Sequence, residues 1–249
     1  MCRAMTVVVL LGLCATAGSA ASIAYGDFGP VAPGIRFLGV TETSATDAVP
    51  LYGSPTAFSV GLDFNPIGFA SFSTGGSSDI TDGQLNFGVE GNPLVGISSI
   101  SLFEAGDYTL AGTGTAATQD FAGVNMRITV TQIDGVNVAP ITLAPSNSAV
   151  AFNLLANPGI VQPWSLGLSL DISGQLTAMG LQFAVGATKL DVVIDNQLIS
   201  LSQPGSIAGI EKKDFRIDVG TNVVPEPSTT ALFFSAGLAG LFLLRRARR

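Results

Sequence analysis

The feature that most constrains this chain is an alternation of apolar and polar residues, repeatedly cut short by glycine and turn residues. Val124-Asn125-Met126-Arg127-Ile128-Thr129-Val130-Thr131 places four apolar side chains on one face and four polar ones on the other. A period of two belongs to a strand with one face in a core and one in water. Trp164, Leu166, Leu168, Leu170 and Ile172 alternate in the same way with Ser165, Gly167, Ser169 and Asp171. Phe58 to Phe64, Leu85/Phe87/Val89, Leu190/Val192/Ile194 and Phe215/Ile217/Val219 repeat the pattern. Asp134-Gly135 separates Ile133 from the run Val136–Ile141, the strongest short-range signal for a two-residue hairpin. Turns are further expected at Glu104–Asp107 and Asp195-Asn196, and a loop over Gly75–Gly83. Only Gly174–Leu181 offers a helix.

Short strands at this spacing, 30 glycines and no amphipathic helix predict an all-β fold, an antiparallel β-sandwich or jelly roll, for residues 21–222. No repeat of fixed period is present, which argues against a solenoid or propeller. Trp164, in phase with Leu166 and Leu168, reads as core rather than as a sugar-stacking platform, and Tyr25, Tyr52 and Tyr108 are too scattered to form one. Lys212-Lys213 reads as the solvated start of the last strand.

The two ends have a different character. Residues 1–20 combine Arg3, an apolar stretch from Thr6 to Cys14 and the small residues Ala17-Gly18-Ser19-Ala20, the make-up of a secretory signal peptide cut between Ala20 and Ala21. Residues 223–249 hold Pro225-Glu226-Pro227, an uncharged apolar span over 231–244, and a basic end with Arg245, Arg246, Arg248 and Arg249. Extended by two threonines, a helix at ~1.5 Å per residue covers roughly 24 Å, short of a ~30 Å hydrocarbon core. A single C-terminal transmembrane helix is therefore expected to span only with snorkelling or local thinning. The terminal arginines favour the cytoplasmic side, which puts the body outside.

The order Pro-Glu-Pro, short span, arginine cluster closely resembles the PEP-CTERM sorting signal of Gram-negative bacteria. That resemblance implies recognition of Pro225, Glu226 and Pro227, and processing of the tail, by an exosortase-type membrane protease. It also implies a cell-surface, biofilm or exopolysaccharide-matrix destination after temporary anchoring.

Composition narrows the chemistry. Histidine is absent, which removes Ser-His-Asp and Cys-His catalysis and histidine metal sites. Both cysteines, Cys2 and Cys14, lie in the signal peptide, so the mature body has no disulfide. The chain's net charge is −7; Arg3 and the four tail arginines fall outside residues 21–228, which therefore carry −12. Such a body repels nucleic acid. Asp79, Asp82 and Glu90 surround a glycine-rich stretch and are calcium candidates, without EF-hand spacing. Glu104 with Asp107, or Asp191 with Asp195, are the acids a glycosidase pair would use, if placed roughly 5–10 Å apart across a cleft. Solvated turn and strand acids are the plainer reading of both sets. The expected function is a non-enzymatic surface or matrix protein without a cofactor. A carbohydrate- or calcium-binding module is the alternative, and a carboxylate hydrolase the remote one.

Overall fold

The computed structural model describes residues 21–223. The predicted signal peptide, sorting tripeptide, apolar span and terminal arginines lie outside the described residues. Among the described residues, no helix is long and apolar enough to cross a membrane.

In chain order the strands are β1 (Ala21–Val31), β2 (Ile35–Ser44), β3 (Thr56–Phe58), β4 (Gly61–Phe64), β5 (Ala70–Thr74), β6 (Ser78–Gly91) and β7 (Val95–Gly112). They continue with β8 (Gln119–Ile133), β9 (Val136–Thr142), β10 (Ser146–Asn153) and β11 (Gly159–Asp171). Helix α1 (Ile172–Ala178) precedes β12 (Ala187–Leu201) and β13 (Ser206–Val223).

All pairings are antiparallel, and they fall into two layers. One runs β1-β2-β6-β12-β8-β10, with β9 on the same side of β8 as β10. The other runs β11-β7-β13, with β4 and β5 along the far side of β13 and β3 beyond β4. A single bridge, Ala187 to Ile97, joins the layers by backbone. Along one side, β5 and β6 are tied by Thr81 Oγ1 to Ala70 O (2.7 Å) and Phe72 N–H to Asp79 Oδ2 (2.8 Å). Along another, Ser146 Oγ donates to Ser169 O (3.1 Å). The result is a large, nearly barrel-like antiparallel β structure.

The alternation sets the core. Val124, Met126, Ile128 and Val130 from β8, with Leu190, Val192 and Ile194 from β12, are buried together with Ile100 and Leu102 of β7 and Phe215 and Ile217 of β13. Each such side chain contributes about 1.5–3 kcal/mol on leaving water. Trp164 lies in the core, its indole N–H donating to Glu211 O at 3.1 Å. The Asp134-Gly135 hairpin forms with φ of 50° and 75°, the left-handed pair of a type I′ turn. The Asp134 carboxylate also accepts N–H bonds from Ala184, Val185 and Gly186 at 2.7, 2.7 and 2.8 Å, fixing the turn to the approach of β12. Among the described residues the one helix, α1, starts two residues earlier than expected, capped by Asp171 Oδ1 accepting from Gly174 N–H (2.8 Å).

Three expected interruptions are absent. β7 continues through Glu104–Asp107, where Gly106 lets β13 approach so closely that a Cβ would sit 1.8 Å from Glu211 O. β12 continues through Asp195-Asn196, because each side chain has a partner on its own face. β6 already begins at Ser78, leaving only a tight turn after Thr74 where a longer loop was expected. Turn propensity loses to cross-strand pairing at each place.

Candidate functional site

The outer face of the six-strand layer carries a concave groove of about 620 Å³. Its floor follows from register. Thr43 lies opposite Gln84, Gln84 opposite Asp195, Asp195 opposite Asn125, and Asn125 opposite Asn147. One polar row thus crosses five strands, about 19 Å at the usual interstrand spacing. Two residues along each strand lies Asp82, Gln197, Gly123 and Ala149, and two further Ile80, Ile199, Phe121 and Ala151. The Phe121 ring leans back over Gly123: a Cβ on that glycine would lie 2.7 Å from the ring. A polar row and an aromatic surface therefore lie side by side.

Both carboxylates of the groove are engaged by donors of the protein, Asp195 by a cation and Asp82 by uncharged groups. Asp195 accepts from Arg127 Nη2 (2.6 Å) and from the Gln84 amide. Asp82 Oδ1 accepts from Thr46 Oγ1 (2.6 Å), Thr46 N–H (2.9 Å), Ala45 N–H (3.1 Å) and Ser44 Oγ (3.3 Å). Burial pushes that carboxyl up, but the donors of Thr46, Ala45 and Ser44 outweigh it and hold it below the ordinary range. Among the described residues, the amides of Asn125, Asn147 and Gln197 make no hydrogen bond within the protein and line the groove. Each amide both donates and accepts. This surface suits a polyhydroxylated ligand with an apolar ring face, since hydroxyls match amides and ring C–H faces match an aromatic.

The acids singled out in the sequence are dispersed. Asp79 is engaged by Phe72 N–H and Asp82 by the Thr46 turn, while Glu90 lies eight residues beyond Asp82, roughly 26 Å along the strand. No group of three or more acids that could hold a metal ion occurs among the described residues. Glu104 is buried, whereas Asp107 is partly exposed and paired with Lys213 at 2.5 Å. Asp191 and Asp195 share a face but lie four residues apart, roughly 13 Å. Tyr52 sits in an aromatic cluster, and Tyr108 stacks on Phe152 at 4.0 Å. The Lys212-Lys213 reading needs correction: Lys213 is exposed, but Lys212 is buried, with Glu104 and Asn196 as partners. The groove residues Phe121, Gln84 and Asn147 were not singled out in the sequence. Their only signal is position on the polar phase of strands, which does not reveal register.

Residues 223–249 match the family model of the PEP-CTERM protein-sorting motif. No curated protein matches the chain. Among solved structures, the chain is similar to a carbohydrate-binding module specific for non-crystalline cellulose, at 10% identity and a TM-score of 0.28, over 68% of this chain and 79% of that one. It is also similar to a carbohydrate-binding module in complex with β-1,4-galactotriose, at 12% identity and a TM-score of 0.20, over 77% and 92%. At these values neither likeness says what this chain binds.

Proposed function

We propose that this chain, which carries a PEP-CTERM sorting motif at residues 223–249, is a non-catalytic exported protein of the cell surface or extracellular matrix. Residues 1–20 serve as signal peptide, 21–222 as a jelly-roll-like ectodomain, and 223–249 as a tail handled by an exosortase-type protease. The tail match carries this reading. Mass spectrometry of the native C-terminus, from membrane and medium fractions, tests it. A terminus near Pro225–Thr230 in released protein is expected. An intact Arg249 in the membrane fraction alone overturns sorting and leaves a simple anchored protein.

The groove favours a second reading for the body: it takes a glycan chain across β6, β12, β8 and β10. The row Gln84–Asp195–Asn125–Asn147 beside the Phe121 ring is its support. Glycan-array binding, repeated with chelator, is the test. Binding that survives chelation and falls at least tenfold in Phe121→Ala and Asn125→Ala is expected. No binding to any glycan refutes it, and chelator-sensitive binding transfers the role to a metal site.

A further inference from the structure

Away from the groove, between the two layers, three polar side chains meet in an apolar enclosure. Lys212 of β13, Glu104 of β7 and Asn196 of β12 are 2%, 0% and 3% exposed. Lys212 Nζ lies 2.5 Å from Glu104 Oε2 and 2.5 Å from Asn196 Oδ1. The rings of Phe69, Phe215 and Tyr52 surround the amine, with centroids at 4.4, 5.0 and 5.5 Å. Two polar atoms of the cluster, Glu104 Oε1 and Asn196 Nδ2, are buried without a hydrogen-bond partner. Buried orphans of this kind are rare and call for an explanation.

We propose that Lys212 and Asn196 condense, with Glu104 as proton carrier, into an intramolecular isopeptide bond that joins the two layers. The chemistry needs a neutral amine beside an amide carbon and an acid that can shuttle protons. Burial lowers the Lys212 ammonium and raises the Glu104 carboxyl, against their mutual attraction, so transfer of the proton from Nζ to Glu104 leaves both groups neutral. The Nζ lone pair then attacks Asn196 Cγ, forming the C–N bond while the carbonyl electrons move to Oδ1. Glu104 gives its proton to Nδ2 and takes the second proton from the attacking nitrogen. The Cγ–Nδ2 bond breaks, Oδ1 regains its double bond, and Nδ2 leaves as ammonia. One amine and one primary amide become one secondary amide and ammonia, with no oxidant, cofactor or energy source consumed. The geometry favours this outcome. Nζ lies within hydrogen-bond reach of Oδ1, which sets the amine beside the amide group that it attacks. Condensation also removes the buried cation and the orphaned Nδ2 together.

The test is mass spectrometry of the full chain, purified folded, then denatured and digested. A branched peptide joining the segments that contain Asn196 and Lys212, about 17 Da lighter than their sum, is expected. Glu104→Ala and Lys212→Arg should lack it, and Asn196→Asp should form the same link with loss of water, about 18 Da. Recovery of Asn196 and Lys212 in separate, unmodified peptides from the folded wild-type chain overturns the proposal, whether or not any variant folds. A link that persists in Glu104→Ala overturns the role given to Glu104.

Discussion

Replacing Asp120 by asparagine should stabilise the protein at neutral pH. Asp120 lies on the inward face of β8, where Oδ1 accepts from Ser200 Oγ (2.7 Å) and Oδ2 from Gly209 N–H (3.2 Å) of the opposite layer. Burial outweighs these bonds and pushes its carboxyl from the ordinary 3.8 to about 6. A folded pKa above the unfolded one means that the folded state holds the proton more tightly. The associated stability is complete below pH 3.8 and is lost as the pH rises through about 6. At 1.36 kcal/mol per unit, the shift amounts to about 3 kcal/mol of lost stability at about pH 7.5, as a ceiling. Asparagine never ionises and fits the same network: its Nδ2 donates to Ser200 Oγ, which donates in turn to Ser71 O at 3.0 Å, and its Oδ1 accepts from Gly209. Thermal melts of wild type and Asp120→Asn at about pH 7.5 and pH 4.5 check this. The variant should melt higher by roughly 2–4 °C per kcal/mol at the upper pH, with the difference shrinking to about a third at the lower. A variant less stable at about pH 7.5, or a gap that does not change with pH, refutes the reasoning.

Gly123→Val should push the Phe121 ring off the groove floor, because the added carbon meets that ring at 2.7 Å. Glycan binding is expected to fall at least tenfold while the melting temperature moves little, read by titration and thermal melts. Gly106→Ala should cost more than about 3 kcal/mol by urea unfolding, since its Cβ would press on Glu211 O in the central β7–β13 pairing. Asp134→Ala should cost about 2 kcal/mol, losing acceptors for three N–H groups and straining a residue at φ 50°. Asp134→Asn, which tolerates that φ in an Asn-Gly turn, should cost clearly less by the same assay.

The inward faces of the main strands were legible because alternation is a local property: Leu85, Phe87, Val89 and the apolar residues of Val124–Thr131 point as their phase requires. Pairing order and register were not. Gln84, Asp195 and Asn125 stand in one row only because β6, β12 and β8 align without a shift there, and nothing within any one strand encodes that. The buried cluster was hidden for two reasons. Reading Glu104 and Asn196 as turn residues broke the phase that would have turned both inward beside Leu102 and Leu198. For Lys212 the phase itself misleads, since counting back from Phe215 by twos reaches Lys213. The register shift between Lys212 and Asp214 is a β-bulge, and it lets both Lys212 and Phe215 face the core.

That bulge bears on how the body holds together. Both cysteines precede residue 21, so no disulfide can close the two layers, and a single backbone bridge joins them. A buried Lys–Glu pair is poor adhesive, because desolvating two charges offsets most of their attraction. Conserving hydrophobic volume at these positions would hold the layers as well at lower cost, unless the cluster does chemistry. An isopeptide bond resolves the discrepancy: it turns a costly ion pair into a neutral amide and gives a thiol-free body a covalent tie that no reductant opens. The predicted signature of the triple variant Lys212→Met, Glu104→Leu and Asn196→Leu, which removes both buried charges together, follows. If the cluster were only an ion pair, filling it with apolar volume should match or raise the wild-type unfolding midpoint. If the bond forms, the same triple variant should unfold at a clearly lower urea concentration, because the cross-link between β12 and β13 is gone.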